Sequence, residues 1–270
     1  MNENARSPQR AESPEIDGDF ENETPDSAGT AEAEVAFRVR AGGATHQGLV
    51  RDHNEDAFLA LRPVFLVADG MGGHDGGADA SAIVAEEFAA LGGRPWLESV
   101  TIQEALVRGA ERIMSLPHGV GRGLPGSTVT GVGLAQQDGI PCWLVFNIGD
   151  SRTYRLQQGQ LEQVTVDHTR VQEMRDAGRL TAQEARTHRL RNVITRALGG
   201  GSTNTPSPDQ WLLFAATGDR LLLCSDGLTG ELSEQLIAAT LQTVPDPGEA
   251  AEALVRAAVE AGGRDNVTAL

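Results

Sequence analysis

Asp69 and Asp150 close apolar runs, Asp226 sits in a third, and Asp265 opens a fourth. Asp69 ends V-F-L-V-A-D-G (Val64 to Gly70), Asp150 ends W-L-V-F-N-I-G-D (Trp143 to Asp150), Asp226 lies in L-L-L-C-S-D-G (Leu221 to Gly227), and Asp265 precedes V-T-A-L. Glu55 and Asp56 stand together in R-D-H-N-E-D (Arg51 to Asp56). Strand ends are rigid, so carboxylates carried there can converge on one point. Converged carboxylates repel one another unless cations lie between them, and an all-oxygen donor set suits Mg²⁺ or Mn²⁺ rather than zinc or copper. The chemistry these residues point to is a hard-metal site.

Arg51 lies four residues before Glu55 and five before Asp56, which places a guanidinium near a carboxylate pair. Alone, that stretch reads as a solvated charged turn; beside Asp69-Gly70, Asp226-Gly227 and Asp265-Asn266 it reads as part of a site. Glycine after an aspartate lets the backbone approach closely, so a main-chain carbonyl can join the ligands. The chain has no lysine, and all 22 basic residues are arginine. Schiff-base, lysine-nucleophile and Walker-A chemistry are thereby excluded, and arginine, with its planar fork, is left to hold a phosphate. Gly121-Arg-Gly-Leu-Pro-Gly126 fits G-x-G-x-x-G but has no strand before it and no helix after it, so it is not a nucleotide fingerprint. Cys142 and Cys224 sit in apolar runs and read as buried thiols, and neither begins a C-x5-R phosphatase loop.

The elements that must position these groups read as a mixture. Strand-like runs cover Ala36 to Arg40, Val64 to Ala68, Thr128 to Ala135, Trp143 to Ile148, Thr153 to Leu156, Trp211 to Ala215 and Arg220 to Cys224. Helical periodicity covers Gly77 to Leu91, Ile102 to Met114, Thr169 to Ala177, Ser233 to Thr240 and Glu249 to Ala261, and Thr181-Ala-Gln-Glu184 reads as a capping box. The strands cluster in hairpins rather than alternating singly with helices. That predicts an α+β fold with antiparallel sheets, not a doubly wound parallel sheet.

Residues 1–34 differ from the rest: ten acidic residues against Arg6 and Arg10 give a net of −8, half of the chain's −16. Their large apolar residues are few, so a disordered acidic tail (1–34) followed by one domain (35–270) is expected. The overall charge of −16 argues against a nucleic-acid or anionic-membrane partner. No charged-then-apolar leader opens the chain and no apolar run approaches the ~20 residues of a membrane span, so a soluble, cytoplasmic protein is expected.

T-H-Q-G-L-V-R-D-H-N-E-D (Thr45 to Asp56), V-A-D-G-M-G-G-H (Val67 to His74), G-S-T-V-T (Gly126 to Thr130), N-I-G-D-S-R (Asn147 to Arg152), L-C-S-D-G-L (Leu223 to Leu228) and R-D-N-V-T (Arg264 to Thr268) occur in this order. Together they resemble the metal-dependent serine/threonine protein phosphatases, the type 2C or PPM group, in its bacterial branch. Asp167 to Ala185 and Asn192 to Gly199 are similar to that branch's flap segment.

The resemblance implies a four-layer α-β-β-α sandwich with two central antiparallel sheets and two Mn²⁺ or Mg²⁺ ions at one end. It implies that Asp56, Asp69, Asp226 and Asp265 hold the pair, with Asp69 bridging and the Gly70 carbonyl contributing. Glu55 would bind metal-bound water, Arg51 would clamp the phosphate, Asp150 with Asp226 would hold a third ion, and His74 is a candidate general acid. Two departures stand out: Gly230 replaces a second aspartate of the third site, and the chain ends at Leu270, so its last strand is expected to be short.

The implied activity is hydrolysis of phosphoserine and phosphothreonine in proteins, the substrates of a cognate kinase, by a monomer. A catalytically weak regulatory module is disfavoured because the aspartate ligands are all present. A hydrolase of small phosphate esters is the third alternative, separable by rates on a sugar phosphate and a phosphothreonine peptide.

Overall fold

The computed structural model describes residues 38–72, 75–117, 123–202 and 205–270; the acidic segment 1–34 and His74 lie outside them. The described chain enters β1 (Ala44–His46), β2 (Asp56–Leu61) and β3 (Val64–Met71), then two helices, α1 (Asp75–Ala89) and α2 (Ser99–Met114). A strand-rich middle follows: β4 (Gly126–Ser127), β5 (Val129–Gln137), β6 (Ile140–Ile148), β7 (Arg152–Gln157) and β8 (Gln160–Gln163). Short helices α3 (Arg170–Asp176) and α4 (Ala182–Thr187) lead to β9 (Leu198–Gly199), β10 (Asp209–Phe214) and β11 (Arg220–Cys224). The chain closes with α5 (Asp226–Thr229), α6 (Glu234–Thr243), α7 (Pro247–Ala261) and β12 (Val267–Ala269).

The strands form two antiparallel sheets, one of order β1-β12-β11-β7-β8 and one running β10-β6-β5-β3-β4-β9 with β2 beside β3. The apolar runs lack strict alternation because both faces of each sheet are covered. In β3, Val64, Leu66 and Ala68 pack with Ile83, Val84 and Phe88 of α1 and Ile102 and Leu106 of α2. The intervening Phe65 and Val67 face Val145, Leu223 and Leu270 between the sheets. On the far side Leu222 and Cys224 pack with Ile237 and Leu241 of α6 and Leu254 and Val255 of α7. The result is the expected α-β-β-α sandwich. Both cysteines are buried and free.

The expected strand at Ala36 to Arg40 is not found: its described residues, 38–40, have no strand pairing, and β1 begins at Ala44. Gly42 and Gly43 break the run there, where a Cβ on Gly42 would collide with the backbone at the start of α7. β12 spans three residues. Leu270 exchanges both backbone bonds with Leu223 at 2.8 Å, and beyond that pair Leu221 faces a cavity of about 750 Å³ lined by 38–42, Trp143 and Leu254. No helix among the described residues is long and apolar enough to cross a membrane.

Local signals account for the helix starts. Thr181 and Glu184 form the reciprocal capping box ahead of α4. Asp246 accepts the Gly248 and Glu249 amides with Pro247 in the first turn, so α7 begins before the expected Glu249. The packing of α1 on its sheet turns on Phe88, stacked on Phe146 of β6 at 5.0 Å between ring centroids. Both rings are fully buried. Phe146→Ala is therefore expected to cost about 3–5 kcal/mol in urea unfolding; a loss below about 1 kcal/mol would show that this layer repacks freely.

Candidate metal centre

β2 and β3 are antiparallel neighbours in a register that makes Asp56 the direct partner of Asp69. Opposed residues share a face with Cβ atoms ~4.5–5.5 Å apart, and like charges there destabilise a sheet. Both side chains are also largely removed from water. Asp69 stands within β3 rather than after it, Asp226 is the first residue of α5 rather than a strand end, and Asp150 occupies the turn between β6 and β7. Asp265 sits two residues before β12. These positions meet at one end of the sandwich. Arg51, Glu55, Asp69, Gly70, Asp150, Asp226 and Asp265 line one cavity of about 220 Å³, with Asn192 and Ile194 on its wall. Asp56 is not among the lining residues, although it is the register partner of Asp69. His74 lies outside the described residues.

The two Asp-Gly pairs are required by close packing. A Cβ on Gly70 would run into the Gly77 carbonyl, and one on Gly227 would run into the Asn266 carbonyl. Those approaches seat the start of α1 against β3 and α5 against the Asp265 loop.

Polar side chains hold the carboxylates in place. Asp56 Oδ2 accepts from Ser225 Oγ at 2.8 Å and Thr268 Oγ1 at 2.7 Å. The Asp69 amide donates to Thr128 Oγ1 at 3.1 Å, and its carbonyl accepts the Thr128 amide at 2.9 Å. Asn266 Oδ1 accepts the Glu55 amide at 2.9 Å, while its Nδ2 donates to the carbonyls of Gln47 and His53. The Asp265 loop is anchored by the Arg264 fork on Glu231, with bonds of 2.8 and 2.7 Å. Arg51 donates from Nη2 to Asp265 Oδ2 at 2.8 Å, so it reaches the site but is engaged with a carboxylate there.

The electrostatics follow from burial. Asp56 is pushed up to about 7 by loss of water, against the Thr268 and Ser225 hydrogen bonds, and Asp150 to about 8 by burial and then Asp226. Asp226 rises to about 6, burial first and Asp265 next. Asp69 is held well above the usual carboxylate range by burial and by Asp56 opposite it, and Glu55 is raised by burial against the pull of Arg51.

Three buried oxygens, Glu55 Oε1, Asp56 Oδ1 and Asp150 Oδ1, accept no hydrogen bond. Arg51 is the only side-chain cation among the cavity's lining residues. Orphaned hard oxygens in excess over positive charge fit divalent cations such as Mn²⁺ or Mg²⁺. Among the described residues no three acidic, His or Cys side chains are already drawn into a closed cage. The carboxylates share one cavity rather than a closed cage.

The sequence profile of the family Protein phosphatase 2C matches residues 44–258. The chain belongs to the protein phosphatase 2C family. It is 38% identical over 239 residues to the serine/threonine protein phosphatase PstP of Mycobacterium tuberculosis, covering 87% of this chain and 45% of PstP. The chain thus spans about half the length of that relative. To the serine/threonine phosphatase stp of Listeria innocua it is 34% identical over 245 residues, 84% of this chain and 92% of stp. The crystal structure of M. tuberculosis PstP superposes with a TM-score of 0.74 at 35% identity, covering 85% of this chain and 96% of that one. The PstP catalytic domain, solved in complex with 2 manganese ions, gives 0.72 at 35% identity over 85% and 95%.

Within this phosphatase 2C domain, reading the sequence missed the supports. Ser225, Thr268, Thr128 and Asn266 all fall inside the quoted motifs, yet their partners depend on strand register that periodicity does not reveal. Asn192 and Ile194 likewise lie in the flap-like segment without any signal that they reach the site.

A raised carboxylate pKa means the folded state favours the protonated form. Its contribution to stability is full below the ordinary carboxylate range and is lost as pH rises through the folded value. The metal-free phosphatase 2C domain should therefore lose stability progressively from the ordinary carboxylate range upward, the loss ending for Asp226, Asp56 and Asp150 in turn at about pH 6, about pH 7 and about pH 8. Divalent metal competes with those protons, so the gap in Tm between Mn²⁺-loaded and EDTA-treated protein should widen with pH. A gap that stays constant or narrows would contradict the assignment of these carboxylates to one buried, charge-deficient centre.

Proposed function

We propose that this chain hydrolyses phosphoserine and phosphothreonine in proteins by direct attack of water, with no covalent phosphoenzyme. The observation that carries this reading is the opposed, half-buried Asp56–Asp69 pair, which is hard to maintain in its charged form without cations. The names of the relatives and the two manganese ions in the PstP catalytic domain support it. Asp56, Asp69, Asp226 and Asp265 would hold two Mn²⁺ or Mg²⁺ ions, with the Gly70 carbonyl contributing and Asp150 joining Asp226 at a third. When bound, such ions supply Lewis acidity, charge neutralisation at the phosphate and an acidified water.

The chain's own residues supply the rest. Arg51 swings from Asp265 to the phosphate oxygens once Asp265 is engaged elsewhere, and its fork holds two of them. Glu55, with one oxygen free of partners, orients the attacking water and takes up its proton. The 220 Å³ cavity beside Asn192 and Ile194 accepts a phosphate ester side chain. The substrates would be phosphoproteins of a serine/threonine kinase in the same cell, acted on by a monomer.

Turnover of a phosphothreonine peptide should require Mn²⁺ or Mg²⁺ and vanish with EDTA, and Asp226→Asn should abolish it while leaving the fold intact by circular dichroism. Substantial turnover by rigorously metal-free protein would sink the mechanism. Arg51→Ala removes a charge-assisted contact worth ~1.5–3 kcal/mol, so KM should rise, with a smaller fall in kcat and calorimetric metal binding retained. Loss of metal binding at unchanged KM would show instead that Arg51 serves to order Asp265.

A further inference from the structure

We propose that His168 is a positioning residue: in its neutral form, with the proton on Nε2, it fixes the turn that carries Asp150 and ties that turn to the flap segment above the site. The proposal rests on the reading of the Asp150–Asp226 cavity as a metal centre. It goes beyond that reading by assigning a role to a residue that lies outside the cavity.

His168 is 5% exposed and closes both backbone groups of a single residue, Gly149. Its own amide donates to the Gly149 carbonyl at 2.9 Å, and its ring Nδ1 accepts the Gly149 amide at 3.1 Å. A backbone N–H can only donate, so Nδ1 is bare and the neutral ring carries its proton on Nε2. That proton is donated to Asp209 Oδ2 at 3.1 Å, and Asp209 Oδ1 accepts from Arg196 at 2.7 Å. The His168 carbonyl accepts the Thr195 amide at 2.8 Å, one residue from Ile194 on the cavity wall.

The turn has little freedom on its other side. Gly149 has φ of 108°, in the region that favours glycine, and a Cβ there would press on Thr128. Thr128 is the same residue that receives the Asp69 amide. The Gly149–Asp150 step is thus gripped between the support of Asp69 and the ring of His168. The neighbours of His168 reinforce the arrangement: Asp167 takes the Arg152 fork at 2.8 and 2.6 Å, and Thr169 caps α3 and bridges Ile194. Outer partners that orient a ligand typically change metal affinity by about 10–100-fold when removed. His168 stands one residue further out, acting on Asp150 through the backbone of Gly149.

Two near-isosteric substitutions divide its bonds. In His168→Asn the side-chain oxygen takes the place of Nδ1 and keeps the Gly149 amide, but cannot reach Asp209. In His168→Gln the terminal amide takes the place of Nε2 and keeps Asp209, but leaves the Gly149 amide without an acceptor. The test is Mn²⁺ calorimetry on the full chain, with kcat and KM on a phosphothreonine peptide and with Tm as a folding control. His168→Asn should keep the weakest Mn²⁺ step within about threefold of wild type, whereas His168→Gln should weaken it by about tenfold or more. In the glutamine variant kcat should fall more than KM rises. A glutamine variant equal to or better than asparagine would reduce His168 to a packing residue and overturn the proposal.

Should both variants unfold, the tautomer of the wild-type, metal-free protein still decides. Long-range ¹H–¹⁵N correlation should show a protonated Nε2 and a bare, hydrogen-bonded Nδ1, and a proton on Nδ1 overturns the proposal. Wild-type protein that takes up no Mn²⁺ would instead sink the metal-centre reading, and the ring's tautomer would be unaffected by that failure.

Discussion

Two like charges set directly across a strand pair are the constraint on which the rest of this structure depends. Asp56 and Asp69 are register partners in β2 and β3, half-buried and facing the same way. Opposed carboxylates weaken a sheet, and burial multiplies the cost because the surrounding dielectric no longer screens them. The fold tolerates the pair by surrounding it with donors that cannot be titrated away. Ser225 and Thr268 donate to Asp56, while Thr128 Oγ1 accepts the Asp69 amide and so fixes its backbone. That leaves Asp56 Oδ1 buried without a partner, and an orphaned hard oxygen is what a hard cation needs.

The wider architecture delivers further carboxylates to the same end from separate elements. Asp226 comes from the first turn of α5, Asp265 from the loop before β12, and Asp150 from the β6–β7 turn. Each is pinned at its backbone: Gly227 packs against Asn266, Arg264 forks onto Glu231, and Gly149 is held by His168. A chain whose only long cationic side chain is arginine is suited to this style of construction. Guanidinium forks on Asp167 and Glu231 fix loop geometry in a way that a point charge would not. Arg51 is different, because its single bond to Asp265 leaves it half exposed and available for exchange with a phosphate.

How much was legible varied by element. The amphipathic helices and the hydrophobic strands β3, β5, β6 and β11 were readable because burial on one or both faces writes a period into the sequence. β2 was not, since its first residue closes the charged stretch Arg51 to Asp56 and masks the strand. With β2 missing, the register that opposes Asp56 to Asp69 could not be seen, although both aspartates were identified. The helix α5 was missed because its four residues are too few to show a period, so Asp226 was read as a strand end. The expected strand at Ala36 to Arg40 failed for the opposite reason: alternation was present, but the glycines after it break the run. Carboxylate identity is thus carried by local letters, while the hydroxyl and amide supports are legible only once strands are paired.

The central claim is that Asp69, with Asp56 opposite it, would serve as a ligand shared by two divalent cations. Electron paramagnetic resonance of the Mn²⁺-loaded protein tests this most directly. Two ions sharing one carboxylate should give the broadened, exchange-coupled spectrum of a Mn²⁺ pair, and Asp69→Asn should convert it to the sharp hyperfine multiplet of isolated Mn²⁺. An uncoupled spectrum in the unaltered protein at saturating Mn²⁺, or coupling that survives Asp69→Asn unchanged, would contradict the account.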